Sequence, residues 1–180
     1  MALTKLGAGA FVAGSVLQTV QTSDNTQTDL SSNGTYVNLS GLDTAITLKG
    51  ANSSVLVFAQ VYGGGHTGGA EGFAIQLYKG SSLITIGLGK GDGSSVGGTS
   101  GVHGCSPDNV GDDYAPTVIT ASILDTNAST AAGTTLTYKV YGRGFSGSNG
   151  WYYNYGGSND GDNTGRWKPT SSVVLQEIKV

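Results

Sequence analysis

The alternation of apolar residues on both sides of a turn at residues 79–82 constrains the fold more than any other feature of the sequence. Within 73–77 and within 84–88, every second residue is large and apolar, which is the period of a pleated strand. A four-residue turn pairs Tyr78 with Leu83 and places both runs on one face. The pattern predicts a β-hairpin. Because a lone hairpin cannot cover its apolar face, another layer must pack against it.

The remaining apolar runs are short, rich in Val, Ile and Thr, and bounded by Gly, Ser, Asn and Asp. A helical period of 3.6 residues is not found in any window. Short strands without crossover helices indicate two stacked antiparallel sheets. We therefore predict an all-β fold, an antiparallel β-sandwich of about eight strands that resembles a jelly roll. Outside the hairpin, the predicted strands are 15–22, 35–39, 45–48, 55–62, 117–124, 136–141 and 173–180.

The 180 residues are enough for one domain with one core. Residues 1–14 show no strand or helix period, and we expect an N-terminal arm that is either a flexible lead or a segment that docks on a partner. Residues 15–180 are expected to form a single β-sandwich domain. Two long Gly-rich stretches, 89–115 and 142–165, are predicted to be loops, where binding residues often concentrate.

The composition excludes several classes of partner. Only 12% of the residues are charged and the net charge is -3, so the sequence has no basic stripe for nucleic acid and no polybasic patch for a membrane surface. Cys105 is the single cysteine, which rules out an intrachain disulfide framework. The start of the chain is a poor secretory signal, and no run reaches the ~20 apolar residues of a membrane span. Synthesis in the cytoplasm without export is expected.

Two sequence matches point to chemistry but lack its structural context. Residues 142–147 have the spacing G-x-G-x-x-G, and residues 93–97 have the spacing G-x-S-x-G. The first motif needs a helix N-terminus facing a pyrophosphate, and the second needs a strand-to-helix turn with a later acid and histidine. Neither is followed by a helical pattern. We interpret both as chance spacings in a chain with 31 glycines.

The candidate metal ligands and catalytic acids likewise lack the partner residues that their chemistry requires. Residues 160–165 begin like a calcium loop, with Asp160 and Asp162, but the glutamate at the twelfth position is missing. A polar turn is the preferred interpretation. The other ionisable residues with candidate roles are His66, His103 and Cys105 for a metal, and Glu71, Glu177 and the pair Asp112 and Asp113 for acid catalysis. We predict no cofactor, no metal and no enzymatic activity.

A cluster of aromatic residues near the C-terminus is the strongest candidate contact site. Aromatic residues among Gly, Ser and Asn are typical of adaptable contact surfaces, and their flat faces also suit sugar rings. Packing at one end of the sandwich or in a subunit interface is the alternative. The cluster consists of Trp151, Tyr152, Tyr153, Tyr155 and Trp167.

The strand and turn patterns resemble a known group of proteins. The matching segments are 14–18 (GSVLQ), 35–62 with the turn Asn52-Ser53-Ser54, 77–81 (LYKGS) and 172–178 (SVVLQEI). They cover nearly the whole chain from Gly14 onward. In these segments the chain resembles the short β-sandwich structural proteins of tailed bacteriophages, particularly cyanophages and other aquatic phages. The resemblance implies a virion protein of a tail fibre or head surface, commonly trimeric and without known chemistry.

Two placements on the particle follow from the resemblance. The short segment before the first strand favours a homotrimeric capsid decoration or cement protein on the head, with the major capsid protein or other virion proteins as partners. The alternative is a tail-fibre or spike tip that contacts host surface glycans through the aromatic loops. A third hypothesis, a carbohydrate-active enzyme on a jelly roll, lacks a distinguishable acid pair. Location in the virion is expected in the first two cases.

Overall fold

The protein forms β-strands throughout the part of the chain that the structure describes. This computed structural model describes residues 12–29, 35–65, 73–89, 101–105, 117–126, 128–129, 131–144, 151–154 and 168–180. In these ranges there are twelve strands, a 3-10 turn at Ser40–Leu42, and no α-helix. The predicted all-β class is confirmed. The strands are β1 (Val16–Asp24), β2 (Thr28–Asp29), β3 (Val37–Asn38), β4 (Thr44–Thr47), β5 (Ser54–Gly65), β6 (Phe73–Lys79), β7 (Ser82–Leu83), β8 (Gly104–Cys105), β9 (Thr117–Asp125), β10 (Thr135–Gly144), β11 (Trp151–Tyr153) and β12 (Ser171–Ile178).

The first sheet, sheet A, is built around β5. On one edge of β5, residues 55–63 pair with β9, and on the other edge residues 54–60 pair with β12. Because β11 pairs with residues 63–65, where β9 already occupies one edge, β11 must continue the line of β12. β1 pairs with β12 and β2 with β11 in the same way. Sheet A therefore has four antiparallel lines: β1 and β2, β12 and β11, β5, and β9.

The second sheet, sheet B, repeats this arrangement around β10 and β6. β3 and β4 share one edge of β10, β6 occupies the other, and β7 and β8 share the far edge of β6. The twelve strands thus form eight lines, the number expected from the sequence. Numbered in chain order, the lines run 1-8-3-6 in sheet A and 2-7-4-5 in sheet B. That order is compatible with a jelly roll, and consecutive lines change sheet everywhere except at the hairpin of β6 and β7.

The core lies between the sheets and follows the strand alternation. From Val55 to Gly63 in β5 and throughout β12, every second residue is buried, whereas the residues between them are partly or fully exposed. Burial of each large apolar side chain contributes about 1.5 to 3 kcal/mol before conformational entropy is counted. The hydrophobic effect therefore holds the two sheets together. The larger core side chains include Leu42, Ile46, Leu48, Val57, Val61, Phe73, Ile75, Leu77, Ile119, Ile123, Tyr138, Val140, Tyr153 and Leu175.

The predicted hairpin is half right. The turn and the pairing of Tyr78 with Leu83 are as predicted, and Ile84 donates one more hydrogen bond to the Leu77 carbonyl at 3.0 Å. The second arm then leaves the sheet, so the predicted pairing of residues 84–88 with β6 is wrong. Ile86 is 42% exposed. The edge of β6 is taken instead by β8, which pairs with Ala74 and Ile75.

β8 lies inside the stretch 89–115 that was predicted to be a loop. Residues 104–105 can pair with β6 because the two sheets approach each other closely there: a Cβ on Gly104 would lie 2.6 Å from Cγ2 of Ile119 in β9. Only a glycine fits there without displacing its neighbour. Since the sequence around Gly104 has no strand period, the pairing is set by tertiary contacts. The rest of this stretch, residues 90–100 and 106–115, lies outside the described residues.

The chain enters the sandwich at one corner of sheet A. The Gly14 amide donates to the Lys179 carbonyl at 2.7 Å, and Lys179 donates back to Ser15 at 2.9 Å. The end of the predicted arm is thereby fixed beside the last strand, and residues 1–11 lie outside the described part. Among the described residues, no helix is long and apolar enough to cross a membrane.

Candidate functional site

The predicted aromatic cluster begins in β11, at the end of sheet A. Trp151–Tyr153 pair with Gly63–Gly65 of β5 on one side and, through Tyr152 and Tyr153, with β2 on the other. Tyr152 is partly exposed, whereas Tyr153 is 1% exposed and belongs to the core. Of the predicted site residues, Tyr155 and Trp167 lie outside the described residues. β11 therefore contributes one partly exposed ring and one packed ring to this end of the sandwich.

Asn154, directly after β11, connects four segments of this end. It is fully buried and has a left-handed backbone with φ 56°. Its amide Nδ2 donates to the carbonyls of Asp24 and Thr26 at 2.9 and 3.2 Å. Its Oδ1 accepts from the amide and hydroxyl of Ser171 at 3.2 and 2.6 Å. The side chain thus satisfies the backbone where β1 passes into β2 and where β12 begins. The sequence analysis did not single it out.

A cleft of about 210 Å³ opens beside Tyr153, between β1, β2 and the segment after β3. Its Asp24 carboxylate accepts a hydrogen bond from the Thr26 amide at 2.9 Å. On the opposite wall, a Cβ at Gly41 would clash with the Asp24 carboxylate, so any other residue there would displace that side chain. Most of the lining residues are polar, and one of them carries a carboxylate. The lining residues are Asp24, Thr26, Thr28, Asn38, Leu39, Ser40, Gly41 and Tyr153.

Two polar atoms of residues that line this cleft are buried and lack a hydrogen bond of good geometry. They are the hydroxyl of Tyr153 and Oδ1 of Asn38. Burial raises the pKa of Tyr153, so the hydroxyl stays protonated, and Asp24, Asn154 and Ser171 lie close to it. Such a set of one donor and several acceptors matches a small ligand that carries hydroxyl groups. The cleft can therefore hold a polar group. No local sequence pattern indicates it, because its walls come from distant segments.

A second aromatic surface lies on the outer side of sheet B and was missed by the sequence analysis. The Arg143 guanidinium lies 5.8 Å from the centroid of the Tyr36 ring. The rings of Tyr78 and Tyr141 are 4.3 Å apart. Burial raises the pKa of Tyr36 to about 12, although nearby Arg143 opposes this. The signal was present as alternation in β10, where Tyr141 and Arg143 occupy outward positions between buried residues. Aromatic and arginine side chains in contact are typical of binding surfaces.

Glu177, a candidate acid in the sequence analysis, serves as a structural carboxylate. It is fully buried in β12 and accepts hydrogen bonds from the amides of Lys49 and Gly50 at 2.9 and 2.8 Å. Gln18 donates to it as well, at 2.6 Å. Burial would raise the pKa of this carboxyl, but the donated hydrogen bonds outweigh burial and hold its pKa below 4.5. The ionised side chain ties β12 to β1 and to the turn after β4.

Asp125 makes a similar connection at the opposite edge of sheet A. Lys79 of β6 forms an ion pair with it at 2.8 Å, and the Tyr138 hydroxyl of β10 donates to the same oxygen at 2.8 Å. Asp125 is 3% exposed. Burial and this hydrogen bond raise the pKa of Tyr138, which therefore stays a donor. The contact joins β9 of sheet A to sheet B.

His103 lies along part of the edge of β6 that was predicted to pair with residues 84–88. Its backbone amide donates to Ile75 at 2.9 Å, and its Nδ1 accepts from the Leu77 amide at 3.1 Å. Because Nδ1 must be unprotonated to accept, the proton lies on Nε2, which is 3.2 Å from the Ile86 carbonyl. Burial lowers the pKa of this imidazole. The neutral ring thus holds segment 84–88 against the edge of β6.

We expect His103 to make folding stability depend on pH. Because the pKa is lowered in the folded chain, the contribution of the neutral ring is complete above about pH 6.5 and is lost as the pH falls towards the lowered pKa. The free energy of unfolding, measured with urea, should fall more between about pH 7.5 and about pH 5 in the wild type than in His103→Gln. His66 is the other histidine in both proteins. An equal fall in both would contradict this role.

The remaining motif residues are not brought together. No group of three or more His, Cys, Asp or Glu side chains that could hold a metal occurs among the described residues. The first three residues of the G-x-G-x-x-G match, 142–144, form the end of β10. His66, Glu71, Asp112, Asp113, Asp160, Asp162 and residues 93–97 lie outside the described part of the chain.

Comparison with known proteins adds no family. No protein-family model matches the chain, and no curated protein matches it.

Proposed function

We propose that the protein is a non-enzymatic structural protein of a tailed bacteriophage particle, and that it decorates the head surface as a homotrimer bound to the major capsid protein or to other virion proteins. The resemblance of its strand and turn segments to phage β-sandwich proteins supports the proposal, and the all-β fold fits that class. Under this proposal, the chain is made in the host cytoplasm and becomes part of the virion.

The observation that carries the proposal is the outer side of sheet A. We call the outward residues of β1, β5, β9 and β12 the uncharged face, since none of them is charged. Several are large and apolar, among them Phe58 and Leu124, which are 41% and 43% exposed. Contiguous apolar surface without charge marks sites where proteins contact one another. A protein that functions as part of a permanent assembly needs such a surface.

A second candidate function has one specific observation in its favour. The Asp24 carboxylate lines the cleft beside Tyr153, and the Tyr153 hydroxyl and Oδ1 of Asn38 are buried in its wall without a hydrogen bond of good geometry. A sugar unit carries hydroxyl groups that both donate and accept, so it suits this set. The cleft lies next to the aromatic segment that begins at Trp151. It thus supports a fibre or spike tip that binds host surface glycans.

Fractionation of phage particles tests both candidates. We expect the protein, detected by mass spectrometry, to copurify with heads that lack tails. The control is a known tail protein, which should be missing from the same fraction. Detection in tail fractions alone would overturn the decoration proposal and support the glycan-binding tip. Absence from purified particles would contradict both.

A further inference from the structure

The uncharged face is continuous across all four long strands of sheet A. In β5 the inward residues Val55, Val57, Ala59 and Val61 are fully buried, and the outward ones alternate with them. The same alternation holds in β9 and β12. The outward residues are Val16, Thr19, Gln21 and Ser23 in β1; Leu56, Phe58, Gln60 and Tyr62 in β5; Val118, Thr120, Ser122 and Leu124 in β9; and Ser172, Val174, Gln176 and Ile178 in β12.

The apolar side chains on this face are neighbours in the strand register. Leu56 lies opposite Leu124, and Tyr62 lies opposite Val118. On the other edge of β5, Phe58 lies opposite Val174. Directly opposed side chains on one face are about 4.5 to 5.5 Å apart at Cβ, so the two residues of each pair lie within contact distance. Phe58 and Leu124 therefore have apolar neighbours in the register, whereas Gln60 and Thr120 separate them from Tyr62 and Val118.

The placement of charge in these four strands is the reverse of the usual one. Their charged residues are Asp24, Asp125 and Glu177, and all three point inward. Asp125 and Glu177 are 3% and 0% exposed. Charged residues are normally kept in water and depleted from the centres of interfaces. A face without charge, on strands whose Asp125 and Glu177 are buried, resembles a surface that is itself covered.

The outer side of sheet B differs from the uncharged face in carrying charged residues, although its Ala74 and Gln76 are buried. It carries the Lys139 and Asp43 ion pair, with an N to O distance of 3.4 Å. It also carries Arg143 over the Tyr36 ring. Both sheets are built from the same kind of alternating strands, so the low overall charge of the chain does not explain the difference between them. The absence of charge is therefore particular to the uncharged face, which also exposes large apolar side chains.

We propose that the uncharged face is the contact between copies of this chain. With strands about 4.8 Å apart and about 3.4 Å per residue, four lines of nine residues give a flat footprint on the order of 600 Å². Side chains raise the accessible area above this value, which brings it close to the roughly 800 Å² per partner of a stable complex. An uncharged face also meets a copy of itself without opposing like charges.

This proposal moves the subunit contact away from the aromatic cluster and onto sheet A. It rests on the proposed function only in assuming that the protein assembles with other chains. The contact is between identical chains and requires no other virion protein. The purified chain alone should therefore self-associate. Strands packed across the contact would lie face to face, about 10 Å apart, as the two sheets of a sandwich do. Contact between the same face of two copies closes a twofold dimer, so this contact pairs copies and does not by itself form the homotrimer.

Measurement of the mass of the purified protein by light scattering tests the contact. The wild type should have the mass of two or more chains, and Phe58→Lys should have the mass of one. The matched control is Ala45→Lys, which adds the same charge at an exposed strand position on sheet B and should keep the wild-type mass. Thr120→Lys, which adds a charge to the face without removing an apolar contact, should also dissociate the protein. If Phe58→Lys does not fold, the mass of Thr120→Lys provides the test.

A monomeric wild type, or an oligomer that survives both lysine substitutions on the face, would overturn the proposal. The outcome is separable from that of the fractionation experiment. A monomer found on phage heads would contradict the self-contact and leave the decoration proposal standing. An oligomer missing from phage particles would support the self-contact and contradict the decoration proposal.

Discussion

Replacement of Asn154 by alanine should cost about 4 kcal/mol of folding stability, the largest effect that we expect from a single substitution outside the apolar core. Alanine removes the bonds to Asp24, Thr26 and Ser171, which leaves the buried Ser171 groups and the part-buried carbonyls of Asp24 and Thr26 without this partner. Each unsatisfied buried group costs about 1 to 3 kcal/mol. Alanine must also hold the left-handed backbone, which costs roughly 1 to 2 kcal/mol. Equilibrium unfolding in urea measures the sum.

Asn52 provides a matched control for the backbone part of this cost. It has the same φ of 56° but lies in an exposed turn. Asn52→Ala should therefore pay only for the left-handed conformation. The difference between the two variants isolates the side-chain hydrogen bonds of Asn154. Losses of equal size at the two positions would show that backbone strain alone sets the cost and that the hydrogen bonds contribute little.

The fold class was predictable because alternation is a local property of the sequence. In β10, the apolar residues Leu136, Tyr138 and Val140 at every second position indicated the strand and its buried side, and composition indicated the approximate bounds of β9 and β12. The turn of the hairpin was equally local, since residues 79–82 combine turn composition with the right length. Counting the runs gave about eight strands, close to the eight lines of the structure. None of these inferences needed knowledge of which strand lies beside which.

What the sequence could not give depends on contacts between distant segments. β8 becomes a strand because Gly104 allows close approach to Ile119 and because His103 occupies the edge of β6. Nothing in residues 101–105 themselves favours a strand. The hairpin arm 84–88 was mispredicted for the same reason: its apolar pattern fits a strand, but another segment takes the available edge.

The candidate sites also divide into features that the local sequence predicts and features that depend on contacts between distant segments. Aromatic composition pointed to the end of the sandwich where β11 lies, but the polar cleft there is made from β1, β2 and the turn after β3. The uncharged face is visible only after the register is known, because its residues are spread over four strands. In the sequence, Asp24, Asp125 and Glu177 look like ordinary surface charges, and it is their inward position in the strands that leaves the face neutral.

Glu177→Gln should be the most damaging conservative substitution of a charged residue, with a loss of roughly 2 to 4 kcal/mol. All the bonds described for this carboxylate are donated to it, by Lys49, Gly50 and Gln18. A glutamine keeps the shape but turns one acceptor into a donor, which must then face another donor. Gln18 cannot resolve the conflict by rotating its amide, because its Nε2 also donates to the Thr47 carbonyl at 2.6 Å.

The pH dependence of unfolding gives this prediction a second measurement. Since the pKa of Glu177 is held below 4.5 in the folded chain, the stability from the ionised carboxylate is complete above about pH 4.5 and is lost as the pH falls towards the lowered pKa. Glu177→Gln should lack this part of the acid-induced loss. Asp43→Asn is the control, because its ion pair with Lys139 is partly exposed, and it should cost less than about 1 kcal/mol. If Glu177→Gln unfolds in acid with the same pH dependence as the wild type, the buried carboxylate does not carry the stability assigned to it.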